Sequence, residues 1–263
     1  MSKKFKAVII DNQNDKFTRE VKELSTDVLK DGNVLVKIDY SSLNFKDALI
    51  LNNGGRIVRN YPFVPGIDFS GSVEESEDTK FKKNDKVILT GFRVGEMYYG
   101  GFSQYAKVNS DFLVNVPKDL NTLKAMKMGT AGLTALLCAF AIKAKEELLM
   151  GSKVKDVLVT GATGGVGSFA VMALSKMGYD VHAVTGKKEK HEYLKKLGAK
   201  NILYRDEFLG ESKLLEKGLW DCVVDTVGGV GLTKILAQTK PGGIVALPGN
   251  AGGNKISTNV MPF

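Results

Sequence analysis

A chain of 263 residues has the mass for two modest domains with a sizeable core, and its net charge of +8 arises from 37 Lys and Arg against 29 Asp and Glu. The lysines are scattered and the arginines are only Arg19, Arg56, Arg59, Arg93 and Arg205. No dense basic block interleaved with aromatics appears, which argues against a nucleic-acid partner. A phosphate-rich small ligand suits such a diffuse positive field. The longest apolar stretch, Ala131 to Ile142, is too short to span a bilayer, and the N-terminus has no signal-peptide pattern. Cys138 and Cys222 lie far apart in apolar runs, as packed thiols of a reducing compartment do. The expectation is a soluble cytoplasmic protein without a membrane partner.

Residues 1–117 read as short strands punctuated by Gly, Pro, Asn and Asp: Phe5–Ile10, Asn33–Tyr40, Asp68–Val73, Lys86–Thr90, Phe102–Val108 and Phe112–Val116. Lys46–Leu51 reads as a helical turn. This is an all-β, barrel-like unit. From Asn121 the apolar spacing turns helical through Met126, Ala131, Leu133, Leu136, Leu137 and Phe140. Strands and helices then alternate: strand 154–160, helix 165–177, strand 180–185, helix 188–197, strand 201–204, strand 221–227, helix 231–238 and strand 243–248. Alternation of that kind predicts a doubly wound parallel sheet. The expected domains are 1–122 and 123–263.

The stretch that fixes the chemistry is Val154 to Gly167. An apolar β-branched run stops in Thr160-Gly161-Ala162-Thr163-Gly164-Gly165-Val166-Gly167, and a helical pattern follows. Bare glycine backbone lets a pyrophosphate approach the first turn of a helix, whose free N–H groups bind anions. Against G-x-G-x-x-G, the match is Ala162 to Gly167 with alanine in the first glycine slot. Thr163, Gly164, Gly165, Val166 and Gly167 are therefore candidate cofactor-binding residues.

The next strand ends in Thr185-Gly186-Lys187-Lys188. An NAD site places a carboxylate there for the ribose 2′-hydroxyl. A hydroxyl followed by lysines suits a 2′-phosphate instead, so Thr185, Gly186 and Lys187 point to NADP(H). The T-G-x-x-x-G-x-G pattern also fits short-chain dehydrogenases, but these need Tyr-x-x-x-Lys, and Tyr193 is followed by Leu197.

A β-unit followed by a dinucleotide-binding unit resembles the medium-chain dehydrogenase/reductase superfamily. Tyr40 to Ala48, Pro65 to Gly71, Gly129 to Ala135, His191 to Leu194 and Asp225-Thr226-Val227-Gly228 closely resemble its zinc-free branch of acrylyl-CoA reductases and quinone oxidoreductases. The resemblance implies a GroES-like β-barrel domain and a Rossmann domain. Five strands precede the end at Phe263 where six are usual, so the Rossmann domain is expected to be incomplete at its C-terminal end. The resemblance also implies homodimers, commonly paired through the sixth strand, and this chain is not expected to form that dimer.

Zinc-dependent members carry cysteine at the position of Asn44 and Gly-His-Glu at Gly66-Ile67-Asp68, so no metal site is expected. His182 and His191 read as packed or surface residues, and Asp68 as a tie within the β-domain. Without a Lewis acid, hydride delivered to carbon of a conjugated carbonyl is the fitting reaction, as in an α,β-unsaturated acyl-CoA or a quinone. Asn44 is the candidate oxyanion donor; a turn asparagine bonding its own backbone is the alternative. The resemblance places Phe45 beside the nicotinamide and Arg205 near the adenosine phosphate. Arg56 and Arg59 flank a loop where they could meet coenzyme A phosphates. That loop reads Asn52-Asn53-Gly54-Gly55 and offers no proton donor; Tyr61 does not match, and water stays open. The expected activity is NADPH-dependent reduction of an enoyl-CoA, acrylyl-CoA foremost. The alternatives are a quinone oxidoreductase and a non-catalytic NADPH-binding protein.

Overall fold

The computed structural model describes residues 2–14, 16–53, 57–148, 153–209, 213, 216–258 and 260–263. Two compact units divide the chain, Met1–Thr130 and Ala131–Phe263. The first opens with a hairpin of β1 (Lys4–Gln13) and β2 (Lys16–Ser25), paired without a break from Lys4–Ser25 to Gln13–Lys16. In β1, Phe5, Ala7, Ile9 and Ile10 are buried. β2 buries no residue. Its Lys-Phe-Thr-Arg-Glu-Val-Lys-Glu run has no apolar period, which is why the sequence does not announce it.

The rest of this unit is β3 (Val34–Tyr40), α1 (Phe45–Leu51), β4 (Asp68–Ser76), β5 (Lys86–Thr90), β6 (Tyr105–Val108) and β7 (Val114–Asn115). The strands form an antiparallel sheet in the order β6-β3-β4-β5-β7. Alternate residues Val34, Val36, Phe69, Val73, Val87, Leu89, Ala106 and Val108 supply its core, as period-two strands with one buried face require. Part of the strand expected at 112–116 is instead a 3-10 turn, Ser110–Phe112, because the Asn109 side chain accepts the Asp111 N–H at 3.0 Å.

Helix α2 (Thr122–Leu148) contains one non-helical residue, Gly129, at φ 50° and ψ −156°. By length and composition alone it is apolar enough to cross a membrane. Beyond the kink, Ala135, Ala139 and Ile142 lie on one face and are fully buried in the core of the second unit. That four-then-three spacing is the stripe of a core-packed helix.

The second unit alternates strictly: β8 (Asp156–Val159), α3 (Gly165–Lys176), β9 (Asp180–Thr185), α4 (His191–Lys196), β10 (Asn201–Tyr204), α5 (Arg205–Phe208), β11 (Trp220–Val224), α6 (Val230–Gln238) and β12 (Thr239–Ala246). All five strands are parallel, in the order β10-β9-β8-β11-β12. Strands covered on both faces are apolar throughout. Val157, Val159, Val181, Ala183, Cys222 and Val224 pack on one side. Leu158, Val184 and Val223 pack on the other with Leu232 and Ile235. The strand order reverses between β8 and β11, and ligands of such sheets bind at the carboxyl ends of the strands at that point.

Candidate functional site

The turn after β8 is built around Gly161. Its carbonyl accepts the Gly164 N–H at 2.8 Å, which brings exposed Gly164 and Gly165 to the start of α3. Gly164 is the N-cap and provides no side-chain cap to the first helical turn, so that end presents backbone donors. Gly167 must lie close: a Cβ there would stand 2.3 Å from the Gly161 carbonyl oxygen.

Next to this turn lies a cavity of about 380 Å³, lined among others by Gly161, Thr163, Thr185, Gly186, Lys187 and Arg205. Four of the expected cofactor contacts from β9 and α5 thus meet Thr163 in one place. Thr185 is buried, and its Oγ1 accepts the Lys187 N–H at 3.1 Å, which sets the start of the lysine loop. The Arg205 guanidinium lies against Gly186, where a Cβ would stand 3.0 Å from Cζ. Among the described lining residues, Asp225 is the only carboxylate, and its oxygens are taken by Thr160 Oγ1 and the N–H groups of Val227 and Gly228. The end of β9 therefore offers Lys187, the Thr185 hydroxyl and Arg205, whose Nε donates to Asp206 Oδ1 at 3.0 Å. Tyr204, not singled out from the sequence, stands beside this end. Its ring packs against His191 at 4.8 Å and under Lys188 Nζ at 5.0 Å.

In the first unit, Asn44 and Phe45 open α1. The Asn44 N–H donates to Asp47 Oδ2 at 2.8 Å, while Asn44 Nδ2 donates to Ser42 Oγ and to Asp68 Oδ2, both at 3.1 Å. Both amide hydrogens are thus engaged, one within the loop and one by the first residue of β4. Phe45 is 55% exposed. Asp68 is fully buried, and its Oδ2 also accepts from Ser42 Oγ (2.6 Å), Thr130 N (2.9 Å) and Thr130 Oγ1 (2.7 Å). Gly129 is required beside it, since a Cβ would meet Ser42 Oγ at 2.7 Å. Burial pushes the nearby Asp47 carboxyl above the usual carboxylate range, although the Asn44 and Ile67 N–H groups bond to it. Arg59 is exposed; Arg56 lies outside the described residues.

Residues 30–118 match the alcohol dehydrogenase GroES-like domain and residues 165–263 the zinc-binding dehydrogenase domain. The chain is 48% identical over 257 residues to the "Probable acrylyl-CoA reductase AcuI" of Escherichia coli (strain K12), covering 98% of this chain and 78% of that protein. This chain belongs to the AcuI/YhfP family of medium-chain dehydrogenases/reductases. The yhdH oxidoreductase from Salmonella enterica in complex with NADP superposes with a TM-score of 0.92 at 47% identity, over 98% of this chain and 78% of that one. Bacillus subtilis yhfP with NAD bound gives 0.90 at 41% identity, over 99% and 79%.

Asn44 and Ile67 supply neither thiolate nor imidazole. Among the described residues no group of three or more His, Cys, Asp or Glu could hold a metal ion. His182 Nε2 pairs with Asp156 at 2.9 Å; the His191 ring packs on Tyr204, and its buried Nε2 has no hydrogen-bond partner among the described residues.

Proposed function

We propose that this chain is a cytoplasmic, zinc-independent, NADPH-dependent reductase of an α,β-unsaturated acyl-CoA, with acrylyl-CoA as the substrate and propionyl-CoA as the product. The observation that carries the reading is the placing of Lys187 and Arg205 at the end of β9, where among the described lining residues the one carboxylate, Asp225, is already taken up by Thr160, Val227 and Gly228. The acyl-CoA assignment leans on the name of the Escherichia coli relative.

The residues present fit a dinucleotide. Gly161, Thr163 and the Gly164–Gly167 turn would take the pyrophosphate, and Thr185, Gly186, Lys187 and Arg205 the adenosine 2′-phosphate. When bound, NADPH supplies the hydride that the β-carbon of the acceptor receives. The chain's own part is to bind, orient and stabilise charge. Phe45, an exposed ring at the head of α1, is the surface proposed for the nicotinamide. Asn44 remains the candidate group for the thioester oxyanion. To donate there it would have to give up one of its bonds to Ser42 or Asp68, whose own donors keep Asp68 saturated in the meantime. In this reading the proton that completes the reduction comes from water.

The runner-up is a quinone acceptor. An NADPH-oxidation assay comparing acrylyl-CoA, crotonyl-CoA and a soluble quinone separates the two. The proposal predicts the highest kcat/KM with acrylyl-CoA; a quinone that exceeds both thioesters overturns it.

A further inference from the structure

We propose that Asp225 is a positioning residue for the dinucleotide: its buried carboxylate, tied to Thr160, fixes the Gly161 turn that the pyrophosphate approaches. The inference rests on the NADPH reading above. Asp225 immediately follows β11, is fully buried and lines the cavity. Its hydrogen-bond donors are Thr160 Oγ1, the Val227 N–H (3.1 Å) and the Gly228 N–H (2.9 Å), none of them a cation. A carboxylate without a cation is costly to bury, and saturation with donors is what makes it tolerable.

The strands themselves do not need it. β8 and β11 are already joined through the Val159–Val224 pair, and the Thr160 N–H donates to the Val224 carbonyl at 3.0 Å. What the carboxylate adds lies beyond the strand ends. It orients the Thr160 hydroxyl, which accepts the Thr226 N–H at 3.1 Å, while Thr226 Oγ1 returns a bond to the Thr160 carbonyl at 3.0 Å. This places Thr226 against Gly161, where a Cβ would stand 2.2 Å from its Oγ1. Gly161 is at φ 56°, its carbonyl accepts the Gly164 N–H, and Gly167 packs on that same carbonyl. A continuous set of contacts thus runs from Asp225 through Thr160, Thr226 and Gly161 to the start of α3.

The test is nucleotide affinity, measured by NADPH and NADH fluorescence titration on the full chain, with thermal melting recorded for each variant. Thr160→Val keeps the shape and removes the hydroxyl; Asp225→Asn removes the charge. Both should raise the two dissociation constants together by at least roughly tenfold, leaving the NADPH-to-NADH ratio unchanged because the 2′-phosphate contacts are untouched. Thr160→Ser should recover most of the loss. A merely structural role would lower the melting temperature without this shared affinity loss and its rescue by serine. Should Thr160→Val not fold, Thr226→Val removes only the bond to the Thr160 carbonyl and should raise both constants by about threefold. Wild-type-like affinities in the folded variants, or a loss confined to NADPH, overturn the inference while leaving the cofactor reading intact. A parent chain that binds neither nucleotide overturns both.

Discussion

Asn44 Nδ2 and Asp68 Oδ2 are hydrogen-bonded at 3.1 Å. By the resemblance read from the sequence, these positions correspond to a cysteine and to the acidic residue of Gly-His-Glu in zinc-dependent members of the superfamily. Here the polar groups satisfy each other and the Ser42–Thr130 backbone. Asp68→Ala leaves the Ser42 and Thr130 N–H groups without their acceptor, and the loss should be about 3 kcal/mol. Urea denaturation measures it. A loss under about 0.5 kcal/mol would show that the knot is solvated rather than structural.

Cofactor choice follows from the cations at the end of β9. NADPH should bind at least tenfold more tightly than NADH, a difference of about 1.4 kcal/mol. Lys187→Asp should shrink that gap by weakening NADPH. Equal dissociation constants in the parent would contradict the assignment, and the NAD-bound yhfP structure makes the comparison informative.

Gly161→Ala combines a left-handed backbone at φ 56° with a Cβ 2.2 Å from Thr226 Oγ1. The turn must move, so nucleotide affinity should fall by at least roughly tenfold while the strands of the sheet remain paired. Titration with circular dichroism on the same sample checks both halves of that statement.

The second unit was legible because its signals are local. Val157 to Val159 run straight into a glycine turn, and the helix begins where the anion-binding pattern requires. The hairpin strand β2 was not, since Phe17 and Val21 sit among charges and no face is buried. The expected strand 243–248 begins earlier, at Thr239, because the chain continues through Pro241 and Gly242, at φ 71°, with a register shift opposite Trp220 and Cys222. Nor could the polar knots be read. Asp68 gathers donors from residues 42, 44 and 130, and Asp225 gathers one from residue 160, and no spacing rule links segments so far apart. Asp225-Thr226-Val227-Gly228 was visible as a motif, but only the fold shows what its carboxylate holds.

Acid should destabilise the second unit through Asp221. Burial pushes its carboxyl up, but the Asp156 and Lys155 N–H groups and the Lys240 ammonium outweigh that and hold it below the usual range. A carboxylate lowered on folding contributes stability that is complete above its unfolded pKa and lost as pH falls through the folded value. Stability should therefore decline below about pH 4. Asp221→Asn should flatten that part of the profile and cost about 1 kcal/mol at neutral pH. An unchanged slope would assign the acid sensitivity elsewhere.

The central claim is tested most directly by product stoichiometry: NADPH consumed against propionyl-CoA formed from acrylyl-CoA, with and without a strong chelator. The account predicts one propionyl-CoA per NADPH at the same rate in both. No propionyl-CoA from a chain shown to be saturated with NADPH, or turnover abolished by the chelator and restored by zinc, would contradict it.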